Sequence, residues 1–313
     1  MEKRVHRKFV RSLLAGLVAV TAICVLIVYR TDVMRVIGVS DSSAATPSGQ
    51  STGFYLDIGA SSSLGTQPDG VRAHNGHRTK TGYSNDLVSI EKTHGMMLTM
   101  REIGCPGETV QSILGQLKDR CYHLPNTQLS IATTYLRQHL GEAGVVTIDL
   151  GFNNLLPCLT ATATITSCVN RGIVAVRNDL PTIVSRLQRA AGPLVHFIGL
   201  GNGDPFLAYY LNGSSGRVIA QQGLVAMNQL NTALQQVYNA RHVPMATVAE
   251  GFQSSKTNLV TTAKFGIVPE NVAQVCAATW MCTPPPFGPD DHPNNTGYSI
   301  IAHAIFVKLP RLS

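Results

Sequence analysis

The stretch Phe54 to Gly65, FYLDIGASSSLG, decides how this chain folds. An apolar run, Phe54-Tyr55-Leu56-Asp57-Ile58, halts at Gly59 and gives way to three serines and a second glycine, the pattern of a buried strand running into a tight turn. Ser61 therefore falls where a strand stops. In open parallel sheets, ligands gather in the crevice outside the carboxyl ends of the strands. A serine there sits on a rigid support and becomes a nucleophile once a base reaches it. A small-residue turn without chemistry is the alternative, and the rest of the chain decides between the two.

Downstream, strand-like and helix-like runs alternate. Gln67 to Gly82 is a polar loop, Ser84 to Lys92 reads as a helix, and Met96 to Ile103 as a second strand. Val110, Ile113, Leu114 and Leu117 share one side of an expected short helix over Thr109–Lys118. Leu129, Ala132, Leu136 and Leu140 fall on one helical face, and Val145–Leu150 is a third strand stopping at Gly151. A helix over Ile173–Arg189, interrupted near Pro181, leads to a fourth strand, Leu194–Leu200; a helix over Arg217–Asn239 leads to a fifth, Val243–Ala249; and Thr296–Leu309 closes the chain as a helix. Switching of the period from two to about 3.6 and back marks βα units, and strict alternation argues for an α/β fold, a parallel sheet with helices on both faces. No internal repeat or second folded domain is visible.

The chain has 313 residues, 44% apolar and 14% charged, enough for one large core. Its net charge of +7 is concentrated: Lys3, Arg4, Arg7, Lys8 and Arg11 against Glu2 give +4 within the first eleven residues. The remainder shows no basic patch interleaved with aromatics, which argues against nucleic acid as a partner. Next comes Leu13 to Tyr29, LLAGLVAVTAICVLIVY, without a charge, long enough at 1.5 Å per residue to approach a bilayer's thickness. The expected organisation is a cytoplasmic basic segment (1–11), a transmembrane anchor or signal sequence (12–30), a flexible linker (31–52) rich in small polar residues, and a folded domain from 53 to 313. An uncleaved anchor is preferred, because Ala44-Ala45 lies too far from the apolar run to serve well as a cleavage site; cleavage would make the protein secreted. Cys24 lacks the context of a lipid attachment site.

Six further cysteines, Cys105, Cys121, Cys158, Cys168, Cys276 and Cys282, suit disulfides outside the cytoplasm, and their spacing suggests sequential pairs among the fifteen connectivities available. None has the spacing of a zinc site. Gly199-Leu200-Gly201-Asn202-Gly203 is not a dinucleotide fingerprint, since Asp204-Pro205 follows where a helix should start.

The unusual residues collect at strand ends. Strand one ends in Gly59-Ala60-Ser61, strand two in Gly104-Cys105-Pro106-Gly107-Glu108-Thr109, and strand three in Gly151-Phe152-Asn153-Asn154. Acyl transfer needs a nucleophile and donors aimed at the developing oxyanion. Ser61 offers the first, while the Ser61 N–H, the Gly107 N–H and the Asn153 amide form a candidate oxyanion hole. Pro289-Asp290-Asp291-His292-Pro293-Asn294, just before the last helix, supplies a base. A histidine beside carboxylates can take the serine proton and hold the resulting charge.

These four blocks resemble the SGNH, or GDSL-type, hydrolase family, and the resemblance runs from about Phe54 to Ala304. The family's Gly-Asp-Ser block corresponds to Gly59-Ala60-Ser61, its second-block glycine to Gly107 in CPGET, its Gly-x-Asn-Asp to Gly151-Phe152-Asn153-Asn154, and its last histidine to His292. Ala60 and Asn154 each replace an Asp. The family's acid usually stands three residues before its histidine, where this chain has Pro289. Asp290 is therefore the first candidate and Asp291 the second, and a site with no carboxylate partner is the remaining option.

The resemblance implies a three-layer α/β/α sandwich, flavodoxin-like and doubly wound, on a five-stranded parallel sheet. The strand count agrees with it. It also implies a serine esterase or lipase needing no metal or organic cofactor, acting on a lipid or an acylated sugar at the cell envelope. Likeness to secreted actinobacterial members with a CPGET block and a DPFL segment makes Phe206, Leu207 and Tyr209 expected substrate-binding residues. Acyl transfer to a sugar or lipid alcohol at the same site is a second expectation. A surface binding protein on an inactive hydrolase scaffold is a third.

Overall fold

The structure, a computed structural model, describes residues 51–71, 76–159 and 164–310. The basic segment, the apolar segment and nearly all of the linker lie outside the described residues, and among those described no helix is long and apolar enough to cross a membrane.

Five parallel strands form the central sheet: β1 (Ser51–Gly59), β2 (Met96–Glu102), β3 (Gly144–Asp149), β4 (Val195–Leu200) and β5 (Met245–Ala246), in the order β2-β1-β3-β4-β5. This is the doubly wound α/β/α sandwich expected from the alternating pattern. Every residue of the central strand β3 is buried, as strands covered on both faces are. On one face Phe54, Leu56, Ile58, Val146 and Ile148 pack against α2 (Gln128–Gln138), α4 (Thr166–Ala190) and α5 (Gly213–Ala240). On the other, Tyr55, Val145 and Ile198 pack against α1 (Tyr83–Thr93) and α8 (Asn295–Phe306). Period two along β1 is thus divided between two cores.

The remaining elements decorate the carboxyl end of the sheet and the region after β5: α3 (Phe152–Leu155), a 3-10 helix Pro205–Asn212, α6 (Val248–Gly251), an antiparallel pair β6 (Leu259–Thr262) and β7 (Gly266–Pro269), and α7 (Glu270–Ala278). The disulfides Cys105–Cys121, Cys158–Cys168 and Cys276–Cys282 are formed.

Three sequence expectations need correction. Thr109–Lys118 is a run of turns, not a helix. The Thr109 and Ser112 hydroxyls take over its backbone and side-chain hydrogen bonds, and Gly115 turns left-handed at φ +77°. Val110 and Ile113 are buried all the same, so the apolar pattern was real but not helical. Pro181 does not interrupt α4, which runs unbroken from Thr166 to Ala190. Arg177, four residues earlier and robbed of its intrahelical donor, lies on the exposed side, where water can serve its carbonyl. Finally, β5 is two residues rather than seven, because Pro244 removes a donor at its start and the chain turns into α6 at Val248.

Candidate active site

The last residue of β1 must be a glycine, because β3 leaves no room for a side chain: a Cβ on Gly59 would lie 2.5 Å from the Asp149 carbonyl oxygen. The buried Gln128 holds both backbone groups of Gly59, accepting its N–H at 2.9 Å and donating to its carbonyl at 3.0 Å. Ser61 follows in helical conformation (φ −66°, ψ −35°) at the head of the 3-10 turn Ser62–Leu64. Its carbonyl accepts from the Leu64 and Thr66 amides, and the Ser63 hydroxyl donates to Ala60 O at 2.7 Å. The turn is thereby fixed without the Asp that Ala60 replaces.

Gly107 lies across the cleft at φ +83°, a conformation that disfavours any Cβ, and the space where a Cβ would project is empty. The loop that carries it is tied down on both sides. Gln128 Nε2 donates to the Glu108 carboxyl at 3.0 Å, Ser112 donates to the same carboxyl, and the Asn153 amide donates to the Glu108 carbonyl at 3.1 Å. One N–H of that amide remains for a ligand. Asn154 accepts from the Val110 N–H at 3.2 Å and donates to Gln111 at 2.6 Å, so the amide standing for the family's Asp clips α3 to the Gly107 loop.

His292 is held by its own turn and by the segment after α7. Its ring Nδ1 meets Asp290 Oδ1 at 2.8 Å, and the same oxygen accepts the His292 backbone N–H at 2.9 Å. Trp280 N–H donates to the His292 carbonyl at 3.2 Å, Asn294 N–H to Ala278 at 3.0 Å, and Thr279 bridges Pro293, all beside the Cys276–Cys282 disulfide. Gln67 couples this segment to the serine turn, accepting from Trp280 Nε1 at 3.2 Å and donating to Asn295 at 2.7 Å.

Ser61, Gly107, Asn153, Asp290, Asp291 and His292 all line one cavity of about 700 Å³ outside the carboxyl edge of the sheet. Burial would lower the His292 pKa, but the hydrogen bond to Asp290 and the charges of Asp291 and Asp290 outweigh it, and the imidazole is raised above its ordinary value. Burial works equally against an Asp290 carboxylate. The hydrogen bonds and charge of His292 nonetheless hold it below the usual range. Asp291 is raised, by burial first, and makes no comparable bond to the ring.

Asp69, Glu108 and Asp149 face the same cavity. Burial pushes Asp149 up to about 6 and Glu108 to about 8. Behind Asp149, fully buried Asp57 accepts from Tyr83 at 2.9 Å, from Thr147 at 2.7 Å and from Ser84, yet burial still carries it to about 8. No sequence signal marked these groups, because a lone Asp in an apolar strand carries no periodicity of its own.

The expected substrate-binding residues are placed elsewhere. Phe206 and Leu207 are core residues, 4% exposed each, and Tyr209 is half-buried against both cores. The cause is local: Asp204 caps the 3-10 helix by accepting the Phe206 N–H at 3.0 Å, which turns that ring inward to stack on Phe152. Pro205 alone of that segment's expected wall reaches the cavity. Its apolar lining comes instead from Phe152, Leu156, Val248, Phe252, Phe287 and Ile301. These are scattered over four parts of the chain, and nothing local in the sequence joins them.

No family model and no curated protein sequence matches the chain. Solved structures do. An extracellular lipase from Streptomyces rimosus superposes with a TM-score of 0.50 at 16% identity, covering 82% of this chain and 99% of that one. A phospholipase A1 from Streptomyces albidoflavus NA297 gives 0.41 at 18% identity (71% and 94% covered), and an acetylxylan esterase from Geobacillus stearothermophilus 0.44 at 14% (85% and 99%). With sheet order, strand-end loops and the lipase superposition in agreement, the chain has the fold of the SGNH-type hydrolases.

Proposed function

We propose that the protein is a serine ester hydrolase. The observation that carries this reading is the 2.8 Å contact between Asp290 and His292 on the wall of the cavity that Ser61, Gly107 and Asn153 also line. Ser61 Oγ attacks the ester carbonyl while His292 Nε2, left free by the bond at Nδ1, takes its proton and returns it to the leaving alcohol. Asp290 fixes the ring and stabilises the imidazolium. The Ser61 and Gly107 amides and the second N–H of Asn153 receive the oxyanion, and water releases the acyl group by the reverse sequence. The apolar rings of the cavity favour the acyl portion of an ester, in line with the lipase and esterases of like fold. The apolar segment 12–30 and the three disulfides favour an extracytoplasmic domain held at the membrane.

Hydrolysis of p-nitrophenyl esters from acetyl to palmitoyl tests the reading. Activity abolished in both Ser61→Ala and His292→Ala is the expected result, with fluorophosphonate labelling of wild type but not of Ser61→Ala. No turnover of any chain length, with no labelling, would leave a binding protein on a hydrolase scaffold.

A further inference from the structure

The amino edge of the sheet carries a concentration of positive charge. In a doubly wound sheet every crossover helix runs back to the amino edge of the strands, so helix C-termini collect at the end opposite the cavity. Here those ends carry exposed cations: Lys92 on α1, Arg137 on α2, Arg186 and Arg189 on α4, Arg241 just after α5, and Lys308 just after α8. Within each helical layer, contacts hold neighbouring ends together. His94 packs on Phe306 with ring centroids 4.6 Å apart, Gln188 donates to the Arg241 carbonyl at 2.9 Å, and the turn at Gly192 lies against Leu140.

Cations at helix C-termini complement the helix dipole, and that alone explains one or two per helix end. It does not explain the lack of compensation. None of the six forms an ion pair among the described residues; Glu91 at the end of α1 is buried, and Glu142 is the exposed carboxylate of the connecting loops. Exposed apolar side chains, Leu140, Leu194 and Val307, lie among the cations. The opposite end is mixed: Lys80, Lys118, Arg120, Lys256 and Lys264 stand in its loops beside Asp69, Glu250, Glu270, Asp290 and Asp291.

We propose that the amino edge of the sheet docks on an anionic lipid surface. Clustered Lys and Arg with interspersed apolar side chains is the chemistry that binds acidic headgroups. The chain's own path agrees: β1 begins at Ser51 on this edge, its N–H donating to Gly95 O at 3.2 Å, and the apolar run Leu13–Tyr29 lies upstream of it. Docked this way, the cavity opens away from the lipid. This goes beyond ester hydrolysis and does not depend on it.

The test is hydrogen exchange on the full chain reconstituted in phosphatidylcholine vesicles with and without phosphatidylglycerol. With the anionic lipid, amides at 92–97, 137–143, 189–195 and 240–244 gain protection of about tenfold or more, 0.5 M NaCl removes the gain, and the rim at 68–71 and 284–289 is unaffected. The variant R186Q/R189Q/R241Q/K308Q loses the gain while hydrolysing soluble esters as wild type does. Equal exchange in both lipids, protection kept by the variant, protection on the rim instead, or no association with the anionic vesicles each overturns the proposal. Loss of esterase activity in Ser61→Ala with the same protection pattern keeps docking and catalysis separate.

Discussion

One carboxylate oxygen, Asp290 Oδ1, accepts both the backbone N–H and the ring Nδ1–H of the histidine two residues after it. An acid displaced by one position from its usual place thus reaches the ring through a tight side-chain turn, and Pro289 costs the site nothing. Both bonds would survive in Asp290→Asn, but the charge would not. Activity should fall by roughly 10²-fold or more. The sign of the accompanying pH shift follows from the base role. Activity needs neutral imidazole, and the carboxylates raise the His292 pKa, so the acid limb of kcat/KM should move to lower pH in the variant. An unmoved limb would exclude Asp290 as the partner.

Gly107→Ala forces a Cβ into a left-handed residue, at a cost of about 1–2 kcal/mol. Nothing stands within 4 Å of the new methyl, so the domain should remain folded. If the loop relieves the strain by rotating its amide away from the cleft, kcat drops while thermal stability declines only modestly. A variant with lowered stability and unchanged kcat would remove Gly107 from the oxyanion site.

The Cys276–Cys282 bridge closes the segment whose backbone holds His292. Replacing both cysteines by serine should cost up to about 2 kcal/mol, the low end for a bridge because the loop is short. The more telling outcome is a larger loss of kcat than in the paired Cys158/Cys168 replacement. Equal losses would make the bridge a general staple.

Asp57 has a folded pKa of about 8 against an ordinary 3.8, with Glu108 also near 8, Asp204 near 7 and Asp149 near 6. Between those limits the folded chain keeps protons that the unfolded chain has lost. Stability must therefore decrease as pH rises from about 4 to about 8. Asp57→Asn cannot titrate, so its urea midpoint should vary less across that window than wild type does. Parallel slopes would place the pH dependence elsewhere.

The four longer strands and the helices between them were legible because burial on two sheet faces writes period two and period 3.6 into the residues themselves. Ser61, Gly107, Asn153 and His292 were legible for a related reason: each lies in or beside a loop just past an apolar run, where a polar residue or glycine stands out from its neighbours. What failed depends on distant partners. Thr109–Lys118 has a helical stripe but folds as turns around the Ser112 and Gln128 contacts to Glu108. Phe206 and Leu207 look like a pocket wall until the Asp204 cap turns them inward. Asp290 already stood ahead of Asp291 in the sequence, and it is Asp290 whose carboxylate lies 2.8 Å from the His292 ring.

Gln128 grips Gly59 and Glu108 at once, and Asn153 and Asn154 grip the far side of the Glu108 loop. The serine turn and the Gly107 loop are in consequence a single stiff jaw, cross-braced by amides whose lengths tolerate little change. The opposite jaw is built from Pro285, Pro286, Phe287 and Val71, the last two exposed, with few comparable braces among the described residues. Accommodation of different ester sizes is thereby assigned to one side of the mouth. Selection for a new substrate would work on the proline-rich lip and leave the braced side untouched.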